Sequence, residues 1–484
     1  MNRIFERSLV AAALVTAAVS PALAQGQAFD RTKPPALRPP ARIKMPPVVS
    51  ATLANGLKLY VVEMHEVPLV QFTLTVAGGG RLDGASPGIA SFTAGMLDEG
   101  AGNRNAIGIA SEAAFLGASL GTFSDWDATY VSVKVPRRTM DPALDLMADV
   151  ALRPTFTTAE ITRQRDLRLA GILQQRDQPN TMASLAFNAL LFPDGHPYHQ
   201  PLGGDSAATA GLDSASVRAF YSATMSPANA TMVVAGDITM AEAKAAIERR
   251  FGDWRGRGSA AVPANGTNTA VDRATEVFLV DKPGAAQSVI LIGAAGVDRS
   301  DPDYAAIEVM NTLLGGSFSS RLNSNLREEK GYTYGAGSGF SYRPLPGPFM
   351  AQAAVRTNVT DSSMIEFFRE FERLKNEPVD PVELERAKAY LALGLASDFE
   401  TTTQMAGQVS GLLRFGLPMT YYDDYVAKIM AVTLADIQRV ARKYIRSDRF
   451  TVIIVGDVAA IRHGIEALKL GPVSVRDMTG KPVQ

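Results

Sequence analysis

Histidine and cysteine, two of the residue types that bind transition metals, are scarce in this chain. It contains four histidines, His65, His196, His199 and His463, and no cysteine. The segment His196-Pro-Tyr-His199 has a spacing that could begin a metal site, but its proline and the neighbouring proline and glycine are typical of a turn. We therefore favour a structural turn there over a metal centre.

A serine nucleophile is the second chemistry that the sequence suggests. The segment Gly117-Ala-Ser-Leu-Gly121 matches G-x-S-x-G, which in serine hydrolases requires a strand before the serine and a helix after it. Here a helical pattern over 105–116 precedes the serine and a strand pattern over 129–135 follows it. Because this order is reversed, we reject a serine hydrolase. The glycine-rich segment 335–339 is not followed by a helix start, which argues against a phosphate-binding loop.

The N-terminus has the pattern of a secretory signal. Basic residues precede a mostly apolar run from Ser8 to Val19, and the small residues Ala22 and Ala24 mark a cleavage site. The run is shorter than the ~20 apolar residues of a membrane span, so a membrane anchor is the weaker alternative. We expect residues 1–24 to be a cleaved signal peptide and the mature chain to be periplasmic, without a membrane span.

Several segments recur about 220 residues further along the chain. Two strand–turn–helix patterns have their glycines at Gly236 and Gly456, and edge-like strand patterns occur over 57–63 and 275–281. With 484 residues, the chain also exceeds the roughly 250–300 residues of a single core. We predict a proline-rich tether over 25–47, similar domains over 48–254 and 272–475, a linker over 255–271 and a tail over 476–484.

Charge gives little indication of a partner. The chain has 48 basic and 49 acidic residues, so nothing electrostatic points to nucleic acid. The helix predicted over 158–176 carries Arg163, Arg165, Arg168 and Arg176, which we interpret as a solvated face.

Five segments, taken in order, resemble landmarks of the M16 peptidases, the pitrilysin, insulinase and mitochondrial-processing-peptidase type. They are Leu53-Ala-Asn-Gly-Leu57, Gly88-Ile-Ala-Ser-Phe-Thr-Ala-Gly-Met-Leu97, Leu116-Gly-Ala-Ser-Leu-Gly121, Phe192-Pro-Asp-Gly-His-Pro-Tyr198 and Leu326-Arg-Glu-Glu-Lys-Gly-Tyr-Thr-Tyr334. The resemblance covers essentially the whole mature chain. It implies an α+β fold with two homologous domains, each an antiparallel-rich sheet packed by helices.

Active members of that family bind zinc through H-x-x-E-H and a glutamate from a later helix. Aligning the segments places Ser91 and Gly95 at the histidines, Ala94 at the catalytic glutamate and Gly171 near the third ligand. A catalytic zinc needs about three protein ligands, and these residues supply at most one weak oxygen. We expect no zinc in this chain and expect it in a partner subunit.

The resemblance also implies a second active-site element, an arginine and a tyrosine at Arg327 and Tyr334. Their side chains can donate hydrogen bonds to a scissile carbonyl and stabilise the developing oxyanion. The structural alternatives are a surface ion pair of Arg327 with Glu328 or Glu329, and a half-buried sheet position for Tyr334.

Together these features favour a non-catalytic subunit that binds substrate and completes the active site of a heterodimeric zinc peptidase. Its partner is then an M16 subunit bearing H-x-x-E-H, its substrates are peptides, and the chain is inactive alone. The alternatives are a stand-alone metallopeptidase with an atypical metal site, and a non-enzymatic scaffold like the M16-related core subunits of the respiratory bc1 complex.

Overall fold

The computed structural model describes residues 39–40, 43–256 and 270–483. The predicted signal peptide lies outside the described residues, as do most of the predicted tether and linker. The residues from 43 onward belong to one compact unit. We refer to 43–256 as the first half and to 270–483 as the second half. The predicted domain bounds remain predictions.

The first half contains a six-stranded sheet in the order β1-β2-β8-β3-β7-β6. Strands β2 and β8 run parallel and the other neighbours run antiparallel. Strands β4 and β5 form a separate small ladder. The strands are β1 (Val48–Thr52), β2 (Lys58–Glu63), β3 (Leu69–Ala77), β4 (Gly100–Ala101), β5 (Arg104–Asn105), β6 (Ser119–Ser124), β7 (Ala128–Pro136) and β8 (Ala230–Gly236).

The helices of the first half follow the signals in the sequence closely. Asn105 caps the second helix by accepting from the Gly108 N–H, and Gly117 ends it with φ of 66°. The helices are α1 (Ile89–Gly95), α2 (Ala106–Leu116), α3 (Met140–Leu152), α4 (Thr158–Gln174), α5 (Pro179–Leu191), α6 (Ser206–Ala210), α7 (Ser214–Thr224) and α8 (Met240–Phe251).

The second half repeats this arrangement with a sheet in the order β11-β12-β10-β13-β9-β14. Its strands are β9 (Glu276–Asp281), β10 (Gln287–Ala295), β11 (Thr333–Phe340), β12 (Pro348–Arg356), β13 (Thr451–Gly456) and β14 (Val473–Arg476). Its helices are α9 (Tyr304–Asn311), α10 (Arg321–Asn323), α11 (Thr360–Asn376), α12 (Pro381–Gly394), α13 (Thr402–Arg414), α14 (Tyr425–Met430), α15 (Leu434–Tyr444) and α16 (Val458–Ala467). The predicted α+β class with two homologous, antiparallel-rich domains is confirmed.

One expectation about the sheets was wrong. The strand patterns over 57–63 and 275–281 were predicted to be edge strands, but β2 lies between β1 and β8, and β9 lies between β13 and β14. The outer neighbours are short and of mixed polarity, so periodicity did not reveal them. None of the helices in the described ranges is both long and apolar enough to cross a membrane.

The central strand of each sheet is apolar on both faces. In β8, Met232 and Val234 pack against helices of the first half, whereas Val233 and Ala235 pack against α13 of the second half. Because both faces are covered, the strand is a continuous apolar run without alternation.

The second half shows the reciprocal arrangement. Ile453 and Val455 of β13 pack against α5 of the first half, where Phe187 is 1% exposed. A Cβ at Gly293 of β10 would lie 2.5 Å from the Phe187 ring, so this close approach requires glycine. Helix α5 of the first half therefore covers one face of the second sheet, and helix α13 of the second half covers one face of the first sheet.

Candidate functional site

Helix α1, which carries three of the four zinc-motif positions, is held at its start by Asp83. The N–H groups of Gly88 and Ala90 donate to the two carboxylate oxygens at 2.7 and 2.9 Å. Burial raises the pKa of Asp83 to about 6, and the two N–H donors and Arg168 oppose that rise. Gly88 has φ of +88°, and a Cβ there would lie 2.6 Å from the Gly204 nitrogen, so only glycine fits.

The structure brings two of the four zinc-motif positions into one cleft. Gly95 of α1 and Gly171 of α4 line a cleft of about 550 Å³ between the two helices. Ala94 is fully buried and does not line it. The Ser91 hydroxyl lies 2.8 Å from the Leu202 carbonyl oxygen and 3.0 Å from that of Gly88.

These residues do not fit a zinc ion. The glycines and the alanine offer no side-chain donor atom, and the described part of the chain contains no group of three or more histidine, aspartate or glutamate residues that could hold a metal. The guanidinium of Arg168 also lies against Ser91, donating from Nη1 to the serine oxygen at 3.0 Å. A fixed positive charge at that position opposes the binding of a dication.

Arg168 was wrongly assigned to a solvated helix face. Its Nη1 also donates to the carbonyls of Gly88 and Gly203, and its guanidinium lies 4.9 Å from the centroid of the Phe92 ring. Burial lowers the pKa of Arg168, and the charge of Asp83 opposes this shift. The missed signal was its position three residues before Gly171, on the same face of the helix.

In the second half, Arg327 lies on a π-helical segment, Ser324–Glu329, that continues α10. Such wide turns are rare and are often found at functional sites. The Arg327 guanidinium lies 4.6 Å from the centroid of the Phe318 ring, and its Nε lies 3.4 Å from a carboxylate oxygen of Glu328. The surface ion pair therefore forms, but both partners are over a third exposed, and such pairs contribute little.

Tyr334 is not half-buried in the sheet. It lies on β11, the edge strand, at the irregularity between Thr333 and Ala336, and it is 92% exposed. No other described residue hydrogen-bonds its hydroxyl. Tyr334 lines an open cleft of about 1060 Å³ together with Lys282 and Arg356.

Buried polar contacts hold the segment that carries Arg327. The side-chain amide of Asn325 donates to Glu366 at 2.9 Å and to Glu370 at 2.8 Å, which uses both of its N–H groups. Arg321 donates two parallel hydrogen bonds to Glu383, at 2.8 and 2.7 Å. Charge-assisted pairs of this kind fix geometry, so the backbone that presents Arg327 is well anchored.

The histidine segment forms a structural turn. His196 is 1% exposed, its ring is stacked on Phe192 with 4.5 Å between centroids, and its Nδ1 accepts from the Tyr198 N–H at 3.0 Å. His199 donates from Nδ1 to the Phe192 carbonyl at 2.8 Å. Ser119 begins strand β6 directly after α2, which is the reverse of the order that a serine hydrolase requires.

Comparison with known families gives two matches. The insulinase model, peptidase family M16, matches residues 60–193, and a model described as the peptidase M16 inactive domain matches residues 211–391. Together the matched ranges include Ser91, Gly95, Gly171, Arg327 and Tyr334.

Relatives of similar length also match. An uncharacterized zinc protease of Mycobacterium tuberculosis is 26% identical over 84% of this chain and 92% of its own length. An uncharacterized zinc protease of Mycobacterium leprae is 28% identical over 59% of this chain, and the match spans 64% of that relative. A crystal structure described as a peptidase M16 inactive domain from Pseudomonas fluorescens has 27% identity and a TM-score of 0.79, covering 85% of this chain and 98% of that one.

Proposed function

The chain belongs to the M16 peptidase family, and we propose that it is a non-catalytic subunit that binds substrate and completes the active site of a zinc-bearing M16 partner. The partner carries H-x-x-E-H, and the heterodimer cleaves peptides in the periplasm. The inactive-domain description of the matching model supports pairing with another M16 domain in general terms.

One observation carries the proposal. Tyr334 is presented outward at 92% exposure with its hydroxyl unbonded to any described residue, while Arg327 is held on an anchored π-helical segment close by in sequence. The contacts that Arg327 makes, with Phe318 and Glu328, are themselves at the exposed surface. The first half, in contrast, has no donor set for zinc at Ser91, Gly95 and Gly171.

The chemistry of the two side chains suits a peptide carbonyl. Arg327 offers a planar fork of N–H groups from the π-helical segment, and Tyr334 offers one O–H from the edge strand β11. Donors that point at the position of a developing oxyanion lower the barrier more than they strengthen substrate binding, and removing one such donor typically costs about 100- to 1000-fold in rate. In this arrangement the H-x-x-E-H residues of the partner would hold the zinc, which would supply the activation of the attacking water.

The test is reconstitution of the pair. The chain is purified alone and together with any co-purifying subunit that bears H-x-x-E-H, and zinc content and peptide cleavage are measured for each. We expect no cleavage by this chain alone, and one zinc and activity in the pair. Arg327→Ala should lower kcat of the pair about 100-fold or more without changing its zinc content, and Tyr334→Phe should lower it by a smaller factor.

Two exposed residues of the second half provide matched controls. Arg386 and Tyr390 lie on α12 and are exposed, so Arg386→Ala and Tyr390→Phe should leave cleavage unchanged. Full activity of the Arg327→Ala pair would remove the active-site role. Stoichiometric zinc and chelator-sensitive cleavage in the isolated chain would instead indicate a stand-alone peptidase, and failure of any such partner to co-purify would indicate a scaffold.

A further inference from the structure

The cleft between α1 and α4 has the composition of a binding site for an anion with an organic body. Its polar lining is dominated by one cation, Arg168, and by the amide side chains of Gln164, Gln174, Gln175 and Gln178. Its apolar lining includes Leu167, which is 57% exposed. None of the described residues that line the cleft is acidic.

Some of the N–H groups of the Arg168 guanidinium are not used in hydrogen bonds to described residues. All of its hydrogen bonds leave from Nη1, and all go to neutral oxygens, those of Gly88, Ser91 and Gly203. Of the five N–H groups of a guanidinium, those on Nε and Nη2 make no hydrogen bond within the described ranges.

Among the described residues, the charge of Arg168 also lacks a direct counter-ion. Across the described ranges, no carboxylate forms an ion pair with this guanidinium. Asp83 interacts with it electrostatically, but both oxygens of that carboxyl already accept from the N–H groups of Gly88 and Ala90. A half-buried cation that has three free N–H groups and no paired anion is suited to recruit one from solution.

We propose that this cleft binds a peptide carboxylate, with the free edge of the Arg168 guanidinium as its charged partner. Two carboxylate oxygens match two N–H groups of a guanidinium in one plane. The glutamine amides offer donors and acceptors to a peptide main chain, and Leu167 offers an apolar contact to a side chain. Only the identification of the ligand as a peptide rests on the proposed function.

The open volume depends on the two glycines at the zinc-motif positions. A Cβ at Gly95 or at Gly171 would meet no other atom within 4 Å, so the space beside both residues is empty of protein. A leucine at position 171 would therefore fill the cleft without a clash at its Cβ. The lack of a side chain at both positions thus leaves the volume of the cleft open beside Arg168.

Titration calorimetry on the isolated full chain tests the proposal. The probe is an N-acetylated pentapeptide of glycine, alanine and leucine, used as the free acid, as the C-terminal amide, and as an amide with one internal glutamate. We expect the free acid to bind about tenfold or more tightly than the plain amide, because charge-assisted hydrogen bonds are lost in the amide. Equally tight binding of the glutamate peptide would extend the site to side-chain carboxylates.

Arg168→Gln should abolish the preference for the acid, and Gly171→Leu should weaken binding of every peptide in a folded chain. The matched control is Arg176→Gln, which removes the same charge from an exposed position outside the cleft lining. Equal affinity of the wild type for acid and amide, binding of neither at millimolar concentration, or an intact preference in Arg168→Gln would overturn the proposal. Arg327→Ala should leave this binding unchanged, so the two proposals fail independently.

Discussion

Replacing Phe187 with alanine should weaken the attachment of the two halves to each other. The Phe187 side chain belongs to α5 of the first half, is 1% exposed and packs in a cluster with Val289, Leu291 and Ile453 of the second half. Removing a fully buried phenyl ring costs the transfer free energy of the lost atoms and leaves a cavity, together about 3–5 kcal/mol. This is a large share of the roughly 5–15 kcal/mol by which folded proteins are stable.

Urea unfolding followed by two signals measures this loss. The chain has two tryptophans: Trp254 packs in the core of the first half, whereas Trp126 packs with the cluster that joins the halves and lies 4.2 Å from Arg343. Their fluorescence therefore reports on the first half and on this junction, while far-ultraviolet circular dichroism reports on both halves. We expect the Phe187→Ala transition to shift to lower urea in both signals. The control is Ser184→Ala, on the exposed face of the same helix, which should change the free energy of unfolding by less than about 0.5 kcal/mol.

If Phe187→Ala lowered the free energy of unfolding by less than about 1 kcal/mol, with the slope of that free energy against urea concentration unchanged, α5 would not be tightly packed on the second sheet. If the transition of Phe187→Ala shifted to lower urea in circular dichroism but not in tryptophan fluorescence, the halves would unfold independently.

Three further predictions concern the elements that hold the candidate site. Arg321→Met should lower the free energy of unfolding by about 3 kcal/mol because it leaves the Glu383 carboxylate, 16% exposed, without its partner. A double variant that also carries Glu383→Leu should show a smaller decrease in the same urea assay. An equal or greater decrease in the double variant would contradict this reasoning. The pKa of Asp83 is raised to about 6 in the folded state, so its contribution to stability is present below its ordinary value of 3.8 and is lost as the pH rises through 6. The stability of the wild type relative to Asp83→Asn should therefore fall by up to about 3 kcal/mol between pH 3.5 and 7.5, whereas a rise would show that the sign is wrong. Gly88→Ala should lower the melting temperature clearly more than Gly84→Ala does. Both glycines have positive φ, but only at Gly88 would a Cβ lie 2.6 Å from a backbone nitrogen. Equal decreases in the melting temperature of the two variants would contradict this.

Local signals in the sequence predicted the elements well. The strand over 129–135 and the helix ending at Leu116 lie where predicted, because apolar alternation and a glycine stop are properties of neighbouring residues. The strand β1 and the interior positions of β2 and β9 were missed because sheet order depends on pairing between distant segments. The exchange of α5 and α13 between the halves was missed for the same reason.

The candidate site was predictable only in part. The resemblance identified Arg327, Tyr334 and the zinc-motif positions by alignment, but alignment carries no information on exposure. That Tyr334 points outward, and that Gly95 and Gly171 share one cleft, required the structure. Arg168 was overlooked because an arginine among other arginines on a helix is usually solvated, and its buried contacts come from segments 88–91 and 203, far away in the sequence.

The exchange of α5 and α13 also sets an order for folding during synthesis. A chain made from its N-terminus completes the first sheet by Gly236, yet the helix that covers the outer face of that sheet, Thr402–Arg414, is made more than 160 residues later. Until then, the apolar side chains of Val62 and Val233 face water, which invites aggregation and favours capture by chaperones. The first half therefore reaches its native structure only after nearly the whole polypeptide has been synthesised. Its folding depends on contacts between residues that are far apart in the sequence, and such contacts form slowly.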